Sequence, residues 1–341
     1  MELTKKLELL KELCELDCVS GCEDRAAEWI LAHLPADCKA HRDGRGNIIC
    51  EKKGKNPAAK KVMFTTYMDE VGFLINYIEE SGLLRFVPQG DIDTRVVVGK
   101  AVRLESGKKG VVGAKPIHLQ TAAEREQVLP YSQLYIDIGA KTREEAEKFA
   151  QLGDFAVWRT EYTQLGNKIS AKALDNKVGC IALLDLLTQE LPYDICAVFA
   201  VQEQIGAQAA ANAAFALKAD IAVCIDAVSA GDLPGVSAVN RIGALGKGPV
   251  LTFQNKRCFT DSQLFAQTKE ICVEKEIAYQ LSSQNKESTS AEAIQRVDCG
   301  CRVLPVGIPI RYRKTPNCVF DPQDLEITGK LLRELAEAFA Q

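Results

Sequence analysis

Three acidic side chains stand at or just beyond the ends of strongly apolar segments. They are Asp69, Glu203 and Asp226. A carboxylate at the end of a buried strand costs free energy unless a cation or hydrogen bonds compensate it. Because strongly perturbed acids cluster at functional sites, these three residues indicate a charged site in the folded protein.

The elements that would position these acids alternate between strands and helices. The apolar runs at 62–64, 195–201 and 221–225 are typical of buried strands, and the stretches 178–187 and 208–217 have a helical pattern. This alternation predicts an α/β fold with a mixed, mostly parallel sheet and helices on both of its faces. Such sheets place their sites beyond the carboxyl ends of strands, where the three acids stand.

The interval 72–166 has a different pattern. Its apolar residues fall in short pieces separated by Gly, Pro and charged residues, at 101–104, 110–112, 134–138 and 155–159. We therefore predict an inserted β-rich domain at 72–166. Residues 1–71 and 167–341 would form the α/β domain around it.

Charge and hydropathy exclude two classes of partner. The formal net charge is -4, and no basic stripe of the kind that neutralises phosphates is present, so we expect no nucleic-acid binding. No uninterrupted apolar stretch approaches the roughly 18 residues of a membrane span. The sequence therefore predicts a cytoplasmic protein without a membrane partner.

Four motifs occur in the order used by the tetrahedral (TET) metallo-aminopeptidases. They are Met68-Asp69-Glu70-Val71-Gly72, Ala173-Leu174-Asp175-Asn176-Lys177-Val178-Gly179, Val201-Gln202-Glu203-Gln204-Ile205-Gly206 and Arg311-Tyr312-Arg313-Lys314-Thr315-Pro316. Shorter matches at 43–47, 115–118 and 136–140 extend the likeness over essentially the whole chain. The chain resembles the glutamyl and deblocking aminopeptidases of this family, whose relatives are sometimes labelled endoglucanases.

This resemblance implies the aminopeptidase fold and a specific mechanism. Two divalent ions, usually zinc or cobalt, would share a bridging aspartate and activate a water for attack on the peptide carbonyl. Asp175 matches the bridging aspartate, Asp226 the terminal aspartate of the first metal, and Glu203 the glutamate that accepts the proton. Asp69 matches the residue that orients the first metal's histidine. The resemblance also implies peptide N-termini as ligands and assembly into a homo-oligomer.

Three of the five metal-ligand positions differ from the family pattern. This chain has Tyr67 and Lys314 where the family has histidines, and Gln204 where it has a second glutamate. A neutral amide is a poor zinc ligand, and a protonated lysine is none. Only Asp175 and Asp226 are retained, so we expect no metal or at most one divalent ion, zinc or cobalt by the resemblance.

The departures predict a homologue that is inactive or strongly impaired in peptide hydrolysis, with a peptide-binding or assembly role. The replacement of an acid by an amide and of a histidine by lysine reduces the repulsion among the remaining acids. We expect the Lys314 ammonium to stand where the second metal would be and to donate a charge-assisted hydrogen bond to Asp175.

Two alternatives stay open. A working aminopeptidase could hold one metal with Asp175, Asp226, water and a Tyr67 phenolate, with Glu203 as general base. That phenolate requires the loss of a proton from a group whose ordinary pKa is about 10. A glycosidase would need two carboxyl groups flanking a sugar bond, usually in an aromatic-lined cleft, and an aromatic content of 6% does not favour one.

Overall fold

The computed structural model describes residues 1–237, 241–282 and 289–341. In these ranges the helices are α1 (Leu3–Glu15), α2 (Asp24–His33), α3 (Ala122–Arg125), α4 (Arg143–Ala146), α5 (Leu174–Leu187), α6 (Gln208–Leu217), α7 (Ser262–Glu274), α8 (Ser290–Ile294) and α9 (Pro322–Ala338). The strands are β1 (Cys38–Arg42), β2 (Ile48–Lys52), β3 (Val62–Tyr67), β4 (Gly72–Ile78), β5 (Leu84–Gln89), β6 (Ala101–Leu104), β7 (Lys109–Ala114), β8 (Leu134–Asp137), β9 (Phe155–Trp158), β10 (Thr163–Leu165), β11 (Lys168–Ala171), β12 (Ile195–Ala200), β13 (Ile221–Ser229), β14 (Val250–Thr252), β15 (Gln280–Ser282), β16 (Arg302–Ile310) and β17 (Cys318–Phe320).

The largest sheet has eight strands in the order β1-β2-β12-β3-β13-β16-β14-β15. Its four central strands, β12, β3, β13 and β16, run parallel to one another. Antiparallel pairs occur nearer the edges, between β1 and β2, β2 and β12, and β14 and β16. The predicted mixed α/β sheet is confirmed, and the carboxyl ends of its central strands meet at one edge.

Both faces of this sheet are covered by helices. Alternate residues of β13 pack into different cores: Ile221 and Val223 join the core under α5 and α9, whereas Ala222 and Cys224 join the core under α6 and α8. Because side chains in a strand alternate between the two faces, a strand covered on both sides is apolar throughout. This explains why the segment carries an unbroken apolar run.

A closed six-stranded barrel follows β3, in the order β4-β5-β8-β7-β6-β9. It has its own apolar core, in which the Phe73 ring lies edge-on to Phe86 and Trp158 at centroid distances of 4.8 and 4.9 Å. The next strand, β10, is not part of the barrel. It pairs with β11, which also pairs with β17 in a separate three-stranded sheet.

The chain enters the barrel at a glycine for which no larger residue has room. A Cβ atom at Gly72 would lie 2.6 Å from Cγ2 of Val19 and 2.8 Å from the carbonyl oxygen of Ala156. Close backbone approach therefore requires glycine where the eight-stranded sheet and the barrel meet.

Among the helices in the described ranges, none is long and apolar enough to cross a bilayer.

Candidate functional site

The predicted site residues come from five segments near the carboxyl ends of the central strands. Tyr67 ends β3, Asp175 lies in the first turn of α5, and Glu203 follows β12 in a short 3₁₀ turn. Asp226 lies within β13, which continues to Ser229 rather than ending at the acid. Lys314 follows β16.

The phenol of Tyr67 joins two buried carboxyl groups. Its hydroxyl oxygen lies 2.5 Å from Oδ1 of Asp175 and 2.7 Å from Oδ1 of Asp226. A phenol has one proton and can donate it to only one of the two acceptors at a time. Burial, together with the charge of Asp175, raises the pKa of Asp226 to about 6, against the attraction of the Arg313 guanidinium. A second proton on this cluster therefore becomes accessible in mildly acidic solution.

Arg313 supplies the positive charge at this cluster. Its Nε donates to Oδ2 of Asp175 at 3.0 Å, and its Nη2 lies 3.0 Å from the same oxygen. Only 8% of the Arg313 side chain is exposed, so the ion pair is buried. Burial of a charge is tolerated when an opposite charge and hydrogen bonds compensate it.

The expectation that Lys314 would donate to Asp175 is wrong, because the neighbouring arginine makes this contact. Tyr312 and Lys314 both have left-handed backbones, with φ of 56° and 61°. In the resulting turn Arg313 reaches Asp175, while Lys314 lines the cavity near Glu203 and favours the charged form of that acid. Sequence reasoning did not select Arg313, and its only signal was a second cation in the same motif.

Glu203 lies half-buried at the edge of this centre. Its Oε2 atom is buried and has no hydrogen-bond partner among the residues that the structure describes. Burial, with the negative charges of Asp226, Asp69 and Asp175, raises the pKa of Glu203 well above its ordinary value. These surroundings favour the protonated acid over the carboxylate that a general base requires.

Asp69 is occupied with the loop that carries Glu203. Its carboxylate accepts hydrogen bonds from the Ser20 hydroxyl at 2.6 Å and from the backbone N–H groups of Glu203 and Gln204, each at 3.0 Å. The Tyr67 hydroxyl, by contrast, contacts Asp175 and Asp226. Asp69 therefore positions the turn after β12 rather than the side chain at position 67.

Four of the predicted residues share one cavity with Arg313. Tyr67, Glu203, Gln204 and Lys314 contribute to the lining of a space of about 540 Å³, whereas Asp69, Asp175 and Asp226 do not line it. This volume is in the range of pockets that hold small molecules. Within the described ranges, no group of three or more His, Cys, Asp or Glu side chains is arranged to hold a metal ion.

Comparison with known proteins gives consistent matches over nearly the full length. Residues 46–331 match the family described as M42 glutamyl aminopeptidase. A protein of Escherichia coli (strain K12), provisionally named aminopeptidase FrvX, is 31% identical over 336 residues, which cover 96% of this chain and 94% of that protein.

Two solved structures have the same fold. Aminopeptidase APDkam598 from the archaeon Desulfurococcus kamchatkensis has a TM-score of 0.93 and 30% identity, with coverage of 98% of this chain and 95% of the other. The TET1 peptidase of Pyrococcus horikoshii, which can assemble into a tetrahedron or a large octahedral shell, has a TM-score of 0.85 and 29% identity, with coverage of 99% and 100%. The resemblance inferred from the motifs is thus confirmed, and this chain belongs to the M42 glutamyl aminopeptidase family.

Proposed function

We propose that this member of the family is inactive or strongly impaired in peptide hydrolysis, because its centre does not fit a pair of metal ions. The observation that carries the proposal is the buried Arg313 guanidinium on Oδ2 of Asp175. Asp175 stands at the position of the bridging aspartate. A divalent ion on the same oxygen would be repelled by the guanidinium unless Arg313 moved away.

The remaining donors support the same proposal. Tyr67 takes the place of one histidine ligand, and its hydroxyl is engaged by Asp175 and Asp226. Gln204 offers a neutral amide, and Lys314 offers no lone pair when protonated. The retained carboxylates, Asp175 and Asp226, are too few to hold two metals in the four-coordinate geometry that zinc prefers.

A working enzyme with one metal is the alternative, and the retention of Asp175 and Asp226 favours it. Two observations weigh against this alternative. In the metal-free centre, burial and the charges of Asp175 and Asp226 raise the pKa of Tyr67 well above its ordinary value, so a single ion would have to displace the phenol proton to gain this ligand. The surroundings of Glu203 in the metal-free centre likewise favour its protonated form, which cannot accept a proton from water.

Metal content and peptide hydrolysis test the proposal together. We expect at most one equivalent of zinc or cobalt per chain after incubation with either metal and removal of the excess, measured by elemental analysis. We also expect no hydrolysis of aminoacyl anilides above the level of a mock preparation. Two bound equivalents, or turnover that Glu203→Gln abolishes, would show that the protein is a working metallopeptidase.

The role that we propose instead is ligand binding or assembly on the retained scaffold. The inserted 72–166 domain is the proposed site of homo-oligomer contacts. Exposed apolar side chains support this: Ile117, Leu119, Val128 and Leu152 are between 58% and 69% exposed. Ile117 and Leu119 belong to the same short 3₁₀ turn and therefore lie close together, as exposed apolar side chains do at interaction surfaces.

Solution mass tests the assembly proposal. We expect a multiple of the 37.3 kDa chain mass by light scattering. The variant Ile117→Glu should lower that mass, because a charge would be buried at the interface. Val273→Glu is the matched control, since Val273 is 70% exposed but lies on α7, outside the inserted domain. A monomeric unmodified protein would contradict the proposal.

A further inference from the structure

The cavity beside the Asp175 centre is lined by more positive than negative side chains. Its cationic residues are Lys256, Arg257, Arg313 and Lys314, and its acidic residues are Asp91 and Glu203. Positive charge therefore prevails even when both acids are counted as ionised. A concave site lined mainly by one sign of charge attracts ligands of the opposite sign.

Three of these four cationic side chains make no ion pair with the described residues. Arg313 is committed to Asp175. Lys256, Arg257 and Lys314 have neither an ion pair nor a side-chain hydrogen bond with the residues that the structure describes. Cations held near one another repel unless an anion lies between them. The three side chains are thus available to a ligand.

A second observation points to a ligand at the same place. Glu203 lines the cavity, and its buried Oε2 has no hydrogen-bond partner in the described part of the chain. Buried polar atoms are nearly always paired, so an unpaired one beside a cavity indicates that a bound group completes the site. A bound oxyanion would pair with Glu203 through one shared proton, as an acid and a carboxylate do.

The backbone of Lys314 supports a binding role as well. Its φ of 61° is a left-handed conformation that residues with a Cβ adopt at a cost. Such conformations concentrate at functional sites, where the surrounding structure holds a side chain in a required direction. Here the required direction is into the cavity, beside Glu203.

We infer that this cavity binds a compact oxyanion, the carboxylate or phosphate of a small molecule, through Lys256, Arg257 and Lys314. The inference rests on the proposed absence of the two-metal centre, and it narrows the ligand class of that proposal. Guanidinium and ammonium groups give the strong charge-assisted hydrogen bonds by which carboxylates and phosphates are recognised. A peptide N-terminus, which is itself an ammonium, would be repelled by the same side chains.

Isothermal titration of the full-length protein at low ionic strength tests the inference. The probes are succinate, inorganic phosphate and dialanine amide, which has an N-terminal ammonium and no carboxylate. We expect saturable binding of succinate or phosphate that weakens as salt is added, and no binding of dialanine amide. The two anions distinguish a carboxylate site from a phosphate site.

A charge variant and its control locate the binding site. Lys314→Met keeps the length of the side chain and removes its charge, and it should weaken anion binding at least tenfold. Lys314→Arg should restore much of the affinity. Lys11→Met removes the same charge from an exposed position on α1 and should leave the affinity unchanged.

The possible results separate this inference from the proposed function. Absence of binding by both anions, or equal losses in Lys314→Met and Lys11→Met, would overturn the oxyanion site and leave the proposal of lost hydrolysis intact. Binding of dialanine amide together with two equivalents of metal would overturn both. The circular dichroism spectrum of Lys314→Met should match that of the unmodified protein. If it does not, the anion affinity of Lys314→Arg tests the inference, and weak binding by that variant would overturn the oxyanion site.

Discussion

At the scale of single residues, hydrogen bonds and an ion pair compensate the buried acids, as metal ions would do in a metal centre. Tyr67 and Arg313 are the two groups that hold Asp175, one from each side of its carboxylate. Two buried acids, Asp175 and Asp226, converge on the same phenol oxygen and depend on these neighbours for compensation. Each neighbour can be removed separately, with a different expected cost.

Tyr67→Phe removes only the hydroxyl between the two acids. We expect the free energy of unfolding to fall by about 1–3 kcal/mol, because buried acceptors lose their donor. Urea denaturation at pH 7 measures the change. Tyr77→Phe is the control, since that side chain is 50% exposed and its ring, not its hydroxyl, packs against Arg143. Equal midpoints for the two variants would show that the phenol contributes nothing.

Arg313→Met leaves Asp175 buried without its cation. Breaking a buried ion pair by removing one partner costs about 3–5 kcal/mol, and we expect a loss of that order in chemical denaturation. Arg95→Met breaks an exposed pair with Asp93, so we expect a much smaller loss for this variant. Similar losses in both variants would mean that the Arg313 charge is solvated rather than buried.

The sequence could not show whether Arg313 or Lys314 of the last motif faces Asp175. Adjacent residues point in directions set by the backbone turn, and this turn has left-handed residues at Tyr312 and Lys314. Glycine and asparagine are the usual sequence signals of that conformation, and neither is present here. The motif indicated the correct segment, but which of its side chains contacts Asp175 depends on the tertiary structure.

At the scale of elements, the sequence was more informative. Buried parallel strands need continuous apolar runs, and the runs near 62, 195 and 221 became β3, β12 and β13. Asp226 was expected at the end of a strand but lies within β13, because pairing with β16 continues to Ser229. Apolar character alone does not show where backbone pairing stops.

The first turn of α9 contains a buried acid with an unusual titration. Asp324 accepts hydrogen bonds from the backbone N–H groups of Gly246 and Gly248 at 2.8 and 2.7 Å. Burial nevertheless raises the pKa of Asp324 to about 7. Through its two hydrogen bonds, the Asp324 carboxyl links the loop before β14 to the start of α9.

This raised pKa predicts the direction of a pH effect. An unfolded aspartate has a pKa of about 3.9, so the folded state binds the proton more tightly than the unfolded state. The contribution of Asp324 to stability is therefore greatest below about pH 4 and is lost as the pH rises through 7. Urea denaturation from pH 5 to pH 8 should show a fall in stability that is smaller in Asp324→Asn. If stability fell equally with pH in the unmodified protein and in Asp324→Asn, the raised pKa of Asp324 would be contradicted.

At the scale of the whole molecule, the barrel and the eight-stranded sheet meet at Gly72. We expect Gly72→Ala to lower the free energy of unfolding by about 1–3 kcal/mol, because its Cβ has no space beside Val19 and the Ala156 carbonyl. Gly44→Ala is the control, since a Cβ at Gly44 has no heavy atom within 4 Å. Equal thermal midpoints for the two variants would show that the junction adjusts without strain.

The Arg313–Asp175 pair also determines how substitutions at the centre combine. While the guanidinium lies 3.0 Å from Oδ2 of Asp175, Tyr67→His, Gln204→Glu and Lys314→His each return a ligand to a position that a fixed positive charge disfavours. Their effects on zinc affinity should be small in this background and large after Arg313→Ala, which is epistasis of the kind a double-mutant cycle measures. Restoring metal binding therefore requires a change at Arg313 first, although Arg313 does not stand at a ligand position.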